Sequence, residues 1–243
     1  MPIQNIVMSS SILLEAANQF GTPTYFYDLN VTMNQYRKLY NAFKPLEVQL
    51  HYALKALNNI NILRVLKSEG AGLDAVSIEE IHLGLRAGYA PEKIMYTPNC
   101  VSFSEIQEAV ELGVHINLDN LSMLEKFGNE YGSRVPVCIR VNPHIMAGGN
   151  ANISVGHIDS KFGISIHQIP LLLRIVENTR MNINGIHMHT GSDILDIDVF
   201  LYASEILFEV AKKFKKLKLF YKEVLPKKGW NTYSSINLKY ICP

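Results

Sequence analysis

Short apolar runs recur along this chain at a nearly constant interval. Runs rich in aliphatic and β-branched residues end near Lys55, Ser77, Pro98, Asn120 and Asn142, at spacings of 22, 21, 22 and 22 residues. Between them the apolar positions switch to a helical period, as in residues 60–70, 78–88 and 103–113. Gly70, Gly88 and Gly113 stand where those helices are expected to stop, since the residue after a helix often turns left-handed. Each unit reads as strand, short loop and helix, and a series of such units predicts a parallel sheet with helices packed on it. A sixth strand is expected over residues 183–189, with His189 47 residues after Asn142. The added length holds a polar, glycine-rich stretch, 144–163, and a helix, 168–179. A helix over 196–217 completes the sixth unit.

The short units carry no Gly-x-Gly-x-x-Gly fingerprint, which favours a TIM-type (β/α) barrel over an open dinucleotide-binding sheet. A closed barrel takes eight units, and residues 218–243 are about one unit too short to supply the last two. The expected architecture is therefore α/β, an incomplete barrel of about six of eight units. Residues 218–243 also change character: five lysines, one glutamate and Trp230, the only tryptophan, without strand–helix alternation. They read as a basic C-terminal extension or as the end of a truncated or frame-shifted gene product.

Composition narrows the class without naming it. A chain of 243 residues, 48% hydrophobic and 19% charged, is ordinary for a globular protein. Its net charge of +1 gives no electrostatic footprint for nucleic acid or an anionic membrane. Cys100, Cys138 and Cys242 lie far apart in no metal or redox spacing, which points to a reducing compartment. With no signal-peptide pattern over residues 1–20 and no long apolar run, the chain reads as cytoplasmic.

Candidate chemistry begins with Lys55. It closes the run Leu50-His-Tyr-Ala-Leu-Lys55, where Val48, Leu50 and Tyr52 share a face, and so is expected at the C-terminal end of a strand. Barrel enzymes build their sites there, and an amine held partly out of water can lose its proton and form a Schiff base. A lysine that only marks an exposed strand end is the competing reading. The sixth strand, Gly185-Ile-His-Met-His-Thr-Gly-Ser192, turns His187 and His189 to one side. Packed histidines are one reading and a zinc pair, with His157 and Asp159 folding inwards, is another. A third uses Thr190-Gly-Ser192 as a phosphate-binding turn beyond a histidine that faces a planar cofactor.

Five stretches taken together carry a resemblance. His51-Tyr-Ala-Leu-Lys-Ala56, Gly72-Leu-Asp-Ala-Val-Ser77, Arg140-Val-Asn-Pro143, Ser160-Lys-Phe-Gly163 and His187-Met-His-Thr-Gly-Ser192 resemble, in order, the diaminopimelate decarboxylase family. That family belongs to the alanine racemase-like barrels that use pyridoxal 5'-phosphate. The resemblance implies that Lys55 carries the cofactor as a Schiff base, His189 stacks on its ring and Ser192 contacts its phosphate. It places Asp74 and Glu80 in the hydrogen-bond network near Lys55, and Arg140 on the barrel floor. A helix-capping role for Asp74 and a solvated helix face for Glu80 remain open beside it. No metal is implied. The implied substrate is a small amino acid, meso-diaminopimelate giving L-lysine and CO2, and the full-length family is homodimeric.

The resemblance also divides the chain. Residues 1–30 are expected to include an N-terminal strand, 24–28, that belongs with a separate C-terminal β domain; 31–217 form the partial cofactor barrel; 218–243 match nothing. The glycine-rich phosphate loop, the acid that pairs with the pyridine nitrogen and the β domain with its proton-donating cysteine have no counterpart after Lys218. Decarboxylation by this chain alone is therefore expected to be weak or absent. Related decarboxylases for ornithine, arginine or carboxynorspermidine, a racemase, and a non-catalytic cofactor-binding barrel are the alternatives.

Overall fold

The computed structural model describes residues 9–46, 48–145, 162–189 and 196–214. Two helices come first, α1 (Ser10–Phe20) and α2 (Leu29–Phe43), neither of which the periodicity predicts. Asp28 starts α2 by accepting from the backbone amides of Asn30 and Val31. The repeat then runs through β1 (His51–Ala53), α3 (Ile60–Ser68), β2 (Gly72–Ala75), α4 (Ile78–Arg86) and β3 (Ile94–Tyr96). It continues with α5 (Phe103–Glu111), β4 (His115–Leu118), α6 (Leu121–Tyr131) and β5 (Val137–Asn142). A two-residue β6 (Ile164–Ser165) leads to α7 (Ile169–Thr179), β7 (Ile183–His187) and α8 (Ile197–Ala211).

Local chemistry sets each junction. Asn59, Ser77, Ser102 and Asn120 cap α3 to α6 through side-chain oxygens that accept first-turn amides. Ser102 and Glu105 form a reciprocal capping box. The three predicted stop glycines, Gly70, Gly88 and Gly113, have φ of +89°, +91° and +75°, which side chains with a Cβ rarely adopt. The helices are amphipathic: Ile62, Leu63 and Leu66 of α3, and Ile78 and Ile81 of α4, are buried.

All strand pairs are parallel, in the order β1-β2-β3-β4-β5, with β7 on the far side of β5 and β6 paired to the end of β5. Six of these strands are the six expected from the spacing. Among the described residues β1 and β7 are the sheet's two edges, with no ladder joining them.

The two faces of the sheet differ sharply. Leu73 and Ile94 lie against Gly84 of α4, so their side of the sheet faces the helices. That side carries Ala75, Tyr96, Ile116, Leu118, Val137, Ile139, Val141 and Ile186, all in the main hydrophobic cluster. The alternate positions carry the buried polar residues Asp74, Thr97, Asn117, Asp119, Arg140, Asn142 and His187. Strands have a side-chain period of two, so each strand separates a packing face from a polar face. Side chains of β4 and β7, with β5 between them, meet on the polar face, which therefore curves inwards as a barrel wall does.

Residues 24–28 join no ladder among the described residues, and Tyr25, Phe26 and Tyr27 are exposed; their expected partner is a separate β domain, not this sheet. Two expectations need correction. Lys55 stands beyond β1, in the 3-10 turn Leu54–Ala56, rather than at the strand's last residue. The last helix stops at Ala211, with Lys212 as its cap. Residues 218–243 lie outside the described residues. No helix among the described residues is long and apolar enough to cross a membrane.

Candidate active site

Among the described residues, Lys55, Asp74, Arg140 and His189 lie within or just beyond strands of the parallel sheet, and Glu80 lies in the helix after β2. Lys55 follows β1 and is exposed. The 3-10 turn that holds it is anchored by Leu54, fully buried in the core. Asp74, third residue of β2, is only 1% exposed and accepts a 2.6 Å hydrogen bond from Thr97 Oγ1. Its side chain is committed within the barrel, not to capping α4; Ser77 performs the capping.

Glu80 does not lie on the solvated helix face that the competing reading expects. It is half-buried in the first turn of α4, and Oε2 accepts from the backbone amide of Val76, 2.8 Å away. It thereby fixes the loop leaving β2, one step behind Asp74.

Arg140 sits within β5, 8% exposed, with its guanidinium carbon 4.8 Å from the centre of the Phe162 ring. A desolvated guanidinium over an aromatic face gains roughly 2 kcal/mol from the ring quadrupole. Gly163 makes this approach possible. Its φ is +85°, and a Cβ there would stand 2.9 Å from the backbone nitrogen of Asn142. The Phe-Gly pair that contributed to the family resemblance thus has a packing reason: only glycine lets that segment press onto β5.

On β7, the register with β5 shifts by one residue between Val137 and Cys138. Ile183 pairs with Val137 but Gly185 pairs with Cys138, so Asn184 is the extra residue of a bulge. Ile183 thus packs in the core while His187, paired with Arg140, turns to the polar face. Without the bulge His187 would point at the helices. Its Nδ1 lies 2.6 Å from Asn117 Nδ2. His189 follows two residues later and is half-buried. Ser192, Lys161, His157 and Asp159 lie outside the described residues, and no cluster of three metal-ligating side chains occurs among those described.

The same polar face includes residues not singled out from sequence. Thr97 orients Asp74; Asp119 accepts from the side-chain amides of Asn99 and Asn120. Asn142 accepts from the His144 amide at 3.0 Å, and His144 Nε2 lies 2.7 Å from Ser165 Oγ. Their signal was the alternation His115-Ile-Asn-Leu-Asp119 and Arg140-Val-Asn142, polar at every second position inside otherwise apolar strands. On the floor of the barrel, His51 has Nδ1 3.0 Å from the Leu73 carbonyl, and burial holds its basicity below the usual imidazole range.

A buried concave face with a carboxylate, a guanidinium, amides and imidazoles, and an exposed amine at its rim, suits a polar, anionic, planar ligand that bonds covalently to an amine. Asn117 adds to that face an amide whose Oδ1 is buried with no hydrogen-bond partner among the described residues. The residues present therefore fit pyridoxal phosphate. The profile of the family "Pyridoxal-dependent decarboxylase, pyridoxal binding domain" matches residues 29–223, and the chain belongs to that family.

Within it, the similarity is to diaminopimelate decarboxylases. The chain is 36% identical over 209 residues to the diaminopimelate decarboxylase of Methanothermobacter thermautotrophicus, an alignment covering 85% of this chain and 49% of that protein. It is 34% identical over 200 residues to that of Pseudomonas aeruginosa, covering 80% and 48%. Among solved structures, diaminopimelate decarboxylase from Helicobacter pylori complexed with L-lysine superposes with a TM-score of 0.75 at 30% identity, over 83% of this chain and 52% of that one. Lysine/ornithine decarboxylase from Vibrio vulnificus complexed with putrescine gives 0.72 at 27% identity, over 85% and 53%. The chain spans about half the length of the curated relatives it matches.

Proposed function

We propose that this chain provides the pyridoxal-phosphate-binding part of a decarboxylase that converts meso-diaminopimelate to L-lysine and CO2. The observation that carries the reading is an exposed amine, Lys55, at the rim of a polar-lined parallel barrel wall, in a chain similar to diaminopimelate decarboxylases. Pyridoxal phosphate, when bound, supplies an electron sink for the charge left on the substrate carbon as CO2 departs. Lys55 offers the nucleophilic amine that tethers the ligand's carbonyl carbon, and its exposure leaves it open to exchange with a substrate amine. Asp74, held by Thr97, sets the electrostatics of the polar face below that amine. Glu80 keeps the intervening loop in place. Arg140, fixed against Phe162, supplies positive charge on the floor. His189, just past the end of β7, is the residue assigned to the ring face, and Ser192 to the phosphate.

In this reading residues 31–217 are the cofactor domain, residues 1–30 pack with a β domain, and the whole enzyme is a cytoplasmic homodimer. The test is titration with pyridoxal phosphate, then borohydride reduction and peptide mapping by mass. A single reduced adduct at Lys55, absent in Lys55→Ala, is expected; label scattered over many lysines overturns the assignment. The similarity to the lysine/ornithine decarboxylase motivates a second reading, decarboxylation of a diamine-forming amino acid. Product analysis of the whole enzyme with diaminopimelate, lysine and ornithine separates the two.

A further inference from the structure

The segment that carries Lys55 is a single 3-10 turn, Leu54–Ala56, set between the three-residue β1 and an extended Leu57. Turns of this kind have poor internal hydrogen-bond geometry, so their shape depends on what holds them from outside. Lys55 and Ala56 are exposed and do not anchor it. Leu54, 1% exposed, ties the first residue of the turn to the main core.

The far end is tied by Tyr52. Its hydroxyl donates to the Leu57 carbonyl, 3.2 Å away, and so bridges from the strand before Lys55 to the residue that follows the turn. Tyr52 is the Cα partner of Leu73 and stands on the helix side of the sheet. Its neighbours His51 and Ala53, paired with Gly72 and Asp74, take the opposite face. On the helix side Tyr52 and Leu57 both pack on Ile62, Leu66 and Ala71, and Tyr36 of α2 packs on the same cluster. Burial, with Tyr27 adding to it, raises the pKa of the Tyr52 phenol above its ordinary value. The hydroxyl therefore keeps its proton and remains a donor.

We propose that Tyr52 is a positioning residue: by bridging to the Leu57 carbonyl from behind the sheet, it holds the Lys55 turn at the rim of the hollow, where the amine meets a carbonyl-bearing ligand. Tyr52 acts through the backbone of the turn and not on the ligand. That the ligand is pyridoxal phosphate rests on the function proposed above; the hold on the turn does not. The competing account is that Tyr52 only fills space beside α3, in which case its hydroxyl has no bearing on Lys55.

The test uses the full chain with pyridoxal phosphate as the probe, followed by borohydride reduction and peptide mapping. Tyr52→Phe removes the hydroxyl and keeps the ring in its cluster. It is expected to weaken formation of the Lys55 adduct roughly fivefold, the worth of one hydrogen bond. Far-ultraviolet circular dichroism and labelling at other lysines are expected to stay as in the wild type. Tyr36→Phe is the control, because the Tyr36 hydroxyl in the same cluster is buried with no hydrogen-bond partner. It should leave the Lys55 adduct unchanged.

An unaltered adduct in Tyr52→Phe, or an equal loss in both variants, overturns the positioning role while the cofactor assignment stands. A wild-type chain with no adduct at Lys55 overturns the cofactor assignment, and with it any role of Tyr52 toward that ligand. A second measurement needs no variant to fold. Backbone nitrogen-15 order parameters of residues 54–57 in the wild type are expected at about 0.85, the value of rigid backbone. Values below about 0.6 would show a turn that nothing holds, and would overturn the proposal.

Discussion

Thr97→Val tests whether the polar face is held by specific hydrogen bonds or only by burial. Valine matches threonine in shape, so the change removes the hydroxyl without opening a cavity. Thr97 Oγ1 donates at 2.6 Å to Asp74, a carboxyl only 1% exposed, while its second contact, to the Ala75 carbonyl at 3.4 Å, is long. A hydrogen bond to a charged group is worth about 1.5–3 kcal/mol, and its loss leaves an acceptor that water reaches poorly. Valine recovers a few tenths through its preference for strands. The net expectation is about 2 kcal/mol of destabilisation, or roughly 4–8 °C in Tm for a domain of this size. Urea unfolding of wild type, Thr97→Val, Asp74→Asn and the double variant gives the coupling energy directly, expected at about 1–2 kcal/mol. A Thr97→Val variant within about 0.5 kcal/mol of wild type, with coupling near zero, would refute the reasoning.

Three further outcomes follow from the packing and the local chemistry. Gly128→Ala in α6 should destabilise by about 1–2 kcal/mol despite alanine's helix propensity, since a Cβ would stand 2.5 Å from Thr179 Oγ1 and 2.8 Å from Met181 Sδ; a gain in chemical-denaturation midpoint would contradict it. Ser102→Ala removes the capping box of α5 and should cost about 1 kcal/mol, with an unchanged m-value; no loss would mean that water replaces the cap. His51 takes up protons less readily when folded than the usual 6.5, chiefly because it is buried, so its stabilising effect is complete above about 6.5 and is lost as pH falls below that value. His51→Phe should therefore flatten the acid limb of stability against pH, and an acid limb identical to wild type would remove His51 as its cause.

Much of the fold was written in two periodicities. The constant interval between strand ends located six strands because each unit must close one strand, one helix and two short loops, and that length is set by geometry. Helix stops were legible at Gly70, Gly88 and Gly113 because left-handed backbone selects glycine. The site was legible in part. Lys55, Asp74 and Arg140 carry chemistry that stands out against apolar neighbours. Glu80 did not resolve, because a first-turn glutamate looks the same whether it caps a loop or faces solvent. The bulge before Gly185 left no sequence mark, since a register shift is decided by what β5 offers across the ladder.

The alternation along each strand has a consequence for how such a protein can change. Leu73, Ala75, Ile116, Leu118, Ile139 and Val141 answer to the helices behind them, whereas Asp74, Asn117, Arg140 and Asn142 answer to whatever occupies the hollow in front. Stability and chemistry are thus written in interleaved letters on the same few segments, and a substitution on one side barely disturbs the other. A saturation scan of β2, β4 and β5 should show tolerance oscillating with a period of two: intolerance in abundance at one set of positions, intolerance in ligand binding at the next. The hollow can be re-lettered for a new ligand one residue at a time while the wall behind it stands.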